Sequence, residues 1–182
     1  MQTLVSLLPE PASHRVKDIW DDMETLCGLR LAHSIPYPHF SWAAGESFPE
    51  KPLSIAVSEF SRLMEPLTVY ATGLAIFPGR SPTLYIPIVK TERLYNLHLQ
   101  IWHRLETFGN QLNSNFRPDT WVPHIPLTSG NLTKETLSKM LRKLAFEEIN
   151  LKIEIENLAF FNETGELKFS YPLEPGNSHD LR

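Results

Sequence analysis

Two short stretches of the chain hold residues able to do acid–base chemistry. The first is Tyr37-Pro38-His39-Phe40-Ser41-Trp42 and the second is Val122-Pro123-His124-Ile125-Pro126-Leu127-Thr128. Each is a Pro-His pair opening a short apolar run. The histidines lie 85 residues apart (124 less 39), one in each half of the chain. An imidazole with an ordinary pKa of about 6.5 populates both protonation states near neutral pH. Two brought together suit phosphodiester cleavage. One takes a proton from the attacking water or hydroxyl, and the other gives a proton to the departing oxygen. Each well-placed general acid or base contributes roughly 100- to 10,000-fold, and this logic requires no metal.

Strands position such groups by alternation. On the first stretch Tyr37, His39, Ser41 and Ala43 share a face, opposite Pro38, Phe40 and Trp42. On the second, His124, Pro126 and Thr128 oppose Pro123, Ile125 and Leu127. Each histidine is thus expected on the less apolar side of a buried element. Ser41 follows His39 by two residues, where a hydroxyl can reach phosphate oxygens, and Tyr37 can line the pocket.

The flanking elements repeat. A strand over 3–8 precedes a helical stripe of Val16, Ile19, Trp20, Met23, Leu26 and Cys27, which Gly28 stops. After the first histidine strand, Ser47 and Glu50 have capping-box spacing ahead of Leu53, Val57, Phe60 and Met64. A strand over 67–77, with Gly73 as a bulge, closes the first half. The order begins again with a strand over 83–89. A stripe of Leu94, Leu97, Ile101, Leu105 and Phe108 then ends at Gly109, and a polar loop covers 111–118. A strand over 121–128 follows, then a helix capped by Thr133. The runs 149–161 and 167–171 form a hairpin turning at Glu163-Thr164-Gly165. Each half reads strand, helix, strand, helix, strand. The expectation is one α+β domain over 1–182, with two small sheets around one cleft, pseudo-repeats at about 1–80 and 81–173, and a flexible tail over 174–182.

Composition narrows the function classes. Of 182 residues, 42% are hydrophobic and 21% charged, as in ordinary globular chains. A net charge of −4 argues against a long footprint on duplex DNA, though a nucleotide or RNA end needs only a local positive pocket. Cys27 is the one cysteine, so an intramolecular disulfide is excluded, and a buried structural thiol is expected. The first residues lack a basic n-region and a long apolar run, which predicts no signal peptide, no membrane span and a cytoplasmic location. No zinc spacing, nucleophile elbow or Gly-rich phosphate loop occurs. His98 and His103 read as surface or interfacial, and Arg80, Lys90 and Arg93 as solvated charge near the junction of the halves.

The paired motifs resemble those of the 2H phosphoesterase superfamily, which includes bacterial 2′-5′ RNA ligase-like proteins and RNA 2′,3′-cyclic phosphodiesterases. The family signature is two copies of His-x-Thr/Ser-x about 80 residues apart. His39-Phe40-Ser41-Trp42 matches fully and His124-Ile125-Pro126-Leu127 in part. The resemblance covers nearly the whole chain. It implies a bilobal fold of two pseudo-symmetric lobes with mainly antiparallel sheets and a central cleft. It also implies metal-free hydrolysis of 2′,3′-cyclic phosphates on nucleotides or RNA ends, without a cofactor and without a membrane; a monomer is expected. His39 and His124 would be the catalytic pair, with His124 as base toward water and His39 as acid, and Ser41 would bind phosphate. The departure is Pro126, which offers no hydroxyl and no backbone N–H. Losing one charge-assisted bond costs about 1.5–3 kcal/mol. Thr128 on the same face, or Ser129, would have to compensate. A degenerate domain that binds nucleotide without turnover, and an RNA-joining or cyclic-oligonucleotide activity, are the alternatives.

Overall fold

The computed structural model describes residues 1–28, 35–107, 110–128 and 132–174. The anticipated tail beyond Glu174, the helix stop at Phe108 and Gly109, and Ser129 lie outside them. The elements run β1 (Gln2–Leu7), α1 (Ala12–Cys27), β2 (His39–Ser47), α2 (Glu50–Leu63), β3 (Leu67–Thr72), β4 (Ala75–Phe77) and β5 (Thr83–Pro87). They continue α3 (Glu92–Glu106), β6 (Asn110–Leu112), a 3-10 turn (Ser114–Phe116), β7 (His124–Pro126), α4 (Lys134–Leu144), β8 (Asn150–Ile155), β9 (Asn157–Phe161) and β10 (Leu167–Pro172).

The architecture is mixed α+β with antiparallel sheets. The first sheet has the order β10-β9-β1-β2-β6. The second lobe is built from the pair β3-β8 and the ladder β4-β5-β7. A bridge from Ala71 to Ile88, and the Val89 N–H bonded to the Tyr70 carbonyl at 2.8 Å, hold β3 beside the end of β5. Gly73 separates β3 from β4 at φ 78°, a left-handed conformation costly for other residues. The single strand expected over 67–77 is therefore two.

The lobes are interleaved in sequence. β9, from the second half, pairs with β1, while β3, from the first half, pairs with β8. The apolar run expected as one strand over 149–161 breaks at Glu156, and the chain crosses between lobes there. Asn157 takes over the ladder at the crossing. Its Oδ1 accepts the Leu7 N–H (2.8 Å) and its Nδ2 donates to the Leu7 carbonyl (2.9 Å).

Helices cover the sheets with apolar stripes. α1 buries Val16, Ile19, Trp20 and Met23, and Gly28 caps it at φ 63°. Cys27 is half-buried against this core. Thr133 caps α4 by accepting the Thr136 N–H at 3.1 Å. The Ser47–Glu50 capping box does not form. Ser47 is still in β2, paired with Asn110, and Pro49 is the residue before α2. Residues 111–118 are less irregular than expected, because β6 and the 3-10 turn fall there. No described helix is long and apolar enough to cross a membrane.

Candidate active site

His39 opens β2 and His124 opens β7, and the two Pro-His pairs are docked alike. The Pro38 carbonyl accepts the Leu8 N–H, and the Pro123 carbonyl accepts the Ile88 N–H, both at 2.9 Å. Each proline thus joins the end of the strand that opens its half of the sequence through its carbonyl and presents no N–H elsewhere. The histidines follow the same rule. His39 Nδ1 lies 2.7 Å from the Tyr37 carbonyl, and His124 Nδ1 lies 2.7 Å from the Val122 carbonyl. A carbonyl only accepts, so each neutral ring carries its proton on Nδ1 and its lone pair on Nε2. This is the tautomer that presents a proton acceptor on the outer nitrogen.

The surroundings of the two rings differ. His124 is flanked edge-on by Phe77 (4.9 Å between ring centres) and Tyr85 (5.0 Å), which themselves stack at 4.1 Å. Burial pushes the His124 pKa below the ordinary imidazole value, and the bond to Val122 opposes this in part. His39 is buried and pairs across the sheet with Leu7. Ser41 lies two residues on, half-buried, opposite Val5. Its hydroxyl makes no hydrogen bond to any described residue, which leaves it free to meet a ligand.

Three expected contributors stand differently from the sequence reading. Thr128 is wholly buried, and its hydroxyl accepts the Leu84 N–H at 2.9 Å. β7 ends at Pro126, and the N–H groups of Leu127 and Thr128 both turn onto the Leu84 carbonyl. Thr128 therefore closes the lobe and does not replace the missing hydroxyl. Pro126 itself is half-buried opposite Tyr85. Tyr37 precedes β2, so strand alternation does not place it. Its carbonyl orients His39, while its ring is half-exposed and tilted against Phe161, 6.0 Å away.

His98 is not the surface residue expected from sequence. It is fully buried on α3, in the stripe Leu94, His98, Ile101, Leu105. Its ring stacks on Trp121 at 3.7 Å with 5° between planes. Lys90 is likewise not plain solvated charge, since its ammonium donates to the Trp121 carbonyl at 2.9 Å. Arg93 pairs with Glu65 on the surface.

A cavity of about 360 Å³ opens beside His124, walled by Phe77, Thr83, Asn115, Phe116, Thr120 and Trp121. It combines aromatic faces with hydroxyl and carboxamide groups, as small-ligand pockets do. A larger groove of about 580 Å³ runs between the end of α2 and the start of α3, but it includes neither histidine. Among the described residues, no group of three His, Cys, Asp or Glu side chains could hold a metal ion.

No family model matches the chain. No curated protein matches it either. Among solved structures, it is similar to the crystal structure of TT0787 of Thermus thermophilus, with a TM-score of 0.63 and 14% sequence identity. The alignment covers 96% of this chain and 98% of that one. At this identity the likeness is one of fold.

Proposed function

We propose that the chain is a phosphodiesterase of the 2H type, hydrolysing 2′,3′-cyclic phosphates of nucleotides or RNA ends with His39 and His124. The observation that carries this reading is the equivalence of the two histidines. Each opens a strand, follows a proline, and holds its Nδ1 on the carbonyl two residues back at 2.7 Å. That arrangement presents two Nε2 atoms in the same tautomer from two lobes, which a chance pair of strand histidines would not do.

In the proposed reaction His124 is the base, because its lowered pKa keeps it neutral at pH 7. Its Nε2 takes a proton from water as the water oxygen attacks phosphorus. The bond from phosphorus to one ribose oxygen breaks, and protonated His39 supplies the proton that oxygen needs. The Ser41 hydroxyl donates to a non-bridging oxygen. The product is a nucleoside monophosphate, and proton exchange with solvent restores both rings. The test is incubation with the four nucleoside 2′,3′-cyclic monophosphates in EDTA, with products separated by chromatography. A 2′- or 3′-monophosphate is expected, and absence of product from all four overturns the reading for mononucleotides.

One observation favours a second reading, a domain that binds nucleotide without turnover. The strand of His124 offers no phosphate-binding hydroxyl, since Pro126 has none and that of Thr128 is occupied. Pro126→Thr separates the two. If the enzyme is weakened by one missing bond, kcat/KM rises about 10- to 100-fold in this variant. An unchanged rate means that the face of Pro126 does not meet the phosphate.

The cavity beside His124 supports a nucleobase as the group bound there. Asn115 offers both a donor and an acceptor to a base edge. Asn115→Ala should raise KM several-fold, leave kcat within about twofold, and level the preference among the four bases. Equal base preference before and after the substitution would place the base elsewhere.

A further inference from the structure

β2 has β1 along one edge, while on its other edge the pairing with β6 begins only at Gly45. Short of Ala44, whose carbonyl accepts the Asn113 N–H at 2.8 Å, the strand meets rings. The register against β1 passes from Val5–Ser41 to Leu4–Ala43, so Trp42 is an extra residue, a bulge. The carbonyls of Ser41 and Trp42 each accept a ring N–H. Trp121 Nε1 donates to Ser41 (3.1 Å), and His98 Nε2 donates to Trp42 (3.0 Å). The Trp121 ring lies between His98 at 3.7 Å and Trp42 at 5.8 Å. All three side chains are buried, and the backbone of Trp121 is held by Lys90.

We propose that Trp121 and His98 are positioning residues: the Trp121 N–H ties the strand of His39 to the segment leading to His124, and His98, bonded to that same strand, holds the Trp121 ring by stacking, so that together they set the separation of the two imidazoles. Trp121 is three residues before His124, and Ser41 is two after His39. The clamp therefore grips both strands close to the chemistry. The Trp121 bond joins the segment leading into β7 to the β2 backbone, and the His98 bond joins α3, which packs on β2, to the same backbone. Sliding of one lobe past the other breaks the Trp121 bond and its stack on His98 and leaves the Ser41 carbonyl without its donor. The tautomer agrees with this role. A proton on His98 Nε2 leaves a lone pair on Nδ1, which makes no hydrogen bond to any described residue. The ring is held by its stack, by its bond to Trp42 and by the nearby backbone of Phe116.

The kinetic consequence rests on the two-histidine reading above. A displacement near 1 Å between reacting groups can cost about a hundredfold. His98→Leu removes the donor, Trp121→Phe removes the indole N–H but keeps a ring, and His98→Gln supplies an amide N–H again. Expected is a kcat about a hundredfold lower in His98→Leu and Trp121→Phe, with KM within about threefold, and recovery of most of the kcat in His98→Gln. Should His98→Leu fail to fold, Trp121→Phe decides. A purely structural role would lower the folded fraction and leave kcat per folded molecule unchanged, and that result overturns the proposal. A second readout needs no substrate. In NMR spectra the ring Hε1 resonances of His39 and His124 should both shift in His98→Leu and return in His98→Gln. Unmoved resonances overturn the clamp even if the wild-type protein turns over none of the cyclic nucleotides. Moved resonances in an inactive protein retain the clamp and remove only the assigned reaction.

Discussion

Replacing His39 or His124 by alanine is expected to lower turnover of a 2′,3′-cyclic nucleotide by about 10²- to 10⁴-fold each, in variants that stay folded. The size follows from the roles. In the proposed reaction each imidazole moves one proton in the transition state, and alanine can move none. The hydrogen bond from each ring to the carbonyl two residues back is local. Losing such a bond costs about 1 kcal/mol. The double variant should lose little beyond the worse single variant, since a base without its acid partner completes only half of the proton traffic. The pH profile adds a direction. His124 must be neutral to act as base, and burial lowers its pKa. The acidic limb of kcat/KM should therefore lie below the ordinary imidazole value, with activity falling as pH drops through it. That limb should vanish in the residual rate of His124→Ala. Full activity in either single alanine variant would refute the assigned chemistry.

The histidine pair is legible in the sequence because its signal is local. A Pro-His pair fixes its own surroundings. The proline carbonyl takes the neighbouring strand, and the carbonyl before it takes the imidazole. The α1 stripe, its glycine cap and the Thr133 cap are legible for the same reason, as interactions within a few turns of helix. What escapes depends on partners far along the chain. Nothing in residues 149–161 marks Glu156 as the crossing between lobes, because both sides are apolar and the cue is a bond from Asn157 to Leu7. Thr128 reads as available only when alternation is carried past Pro126, where the strand ends. Phe77 and Tyr85 flank His124 through the pairing of β4, β5 and β7, which periodicity cannot supply. His98 does leave a trace. Its spacing of four from Leu94 and three from Ile101 puts it on the buried stripe, and a stripe drawn through Leu97 conceals it.

His98 also makes the stability of the protein sensitive to acid. Its pKa is lowered to about 4, chiefly by burial, with the nearby Lys90 charge adding to the effect and the backbone of Trp42 and Phe116 opposing it. In the unfolded chain the ring returns to about 6.5. Below that value the unfolded state binds a proton that the folded state refuses, so stability falls with pH. The contribution is fully present above pH 6.5 and is lost as pH drops from 6.5 through about 4. At about 1.36 kcal/mol per pH unit the loss is about 3 kcal/mol, a large share of a typical domain's roughly 5–15 kcal/mol. Carboxylates complicate only the lower end. Glu147, held down mainly by its bond from Lys143, destabilises the fold as pH falls below the ordinary glutamate value of 4.5. Urea denaturation between about pH 7 and 4.5 therefore isolates the histidines, with His124 adding a smaller slope of the same sign. His98→Gln keeps a donor for the Trp42 carbonyl and cannot titrate, so over that interval its stability should keep only the smaller slope of His124, whatever its value at neutral pH. A His98→Gln profile parallel to that of the wild type would mean that the ring takes up its proton while still folded, and that Nδ1 has access to solvent.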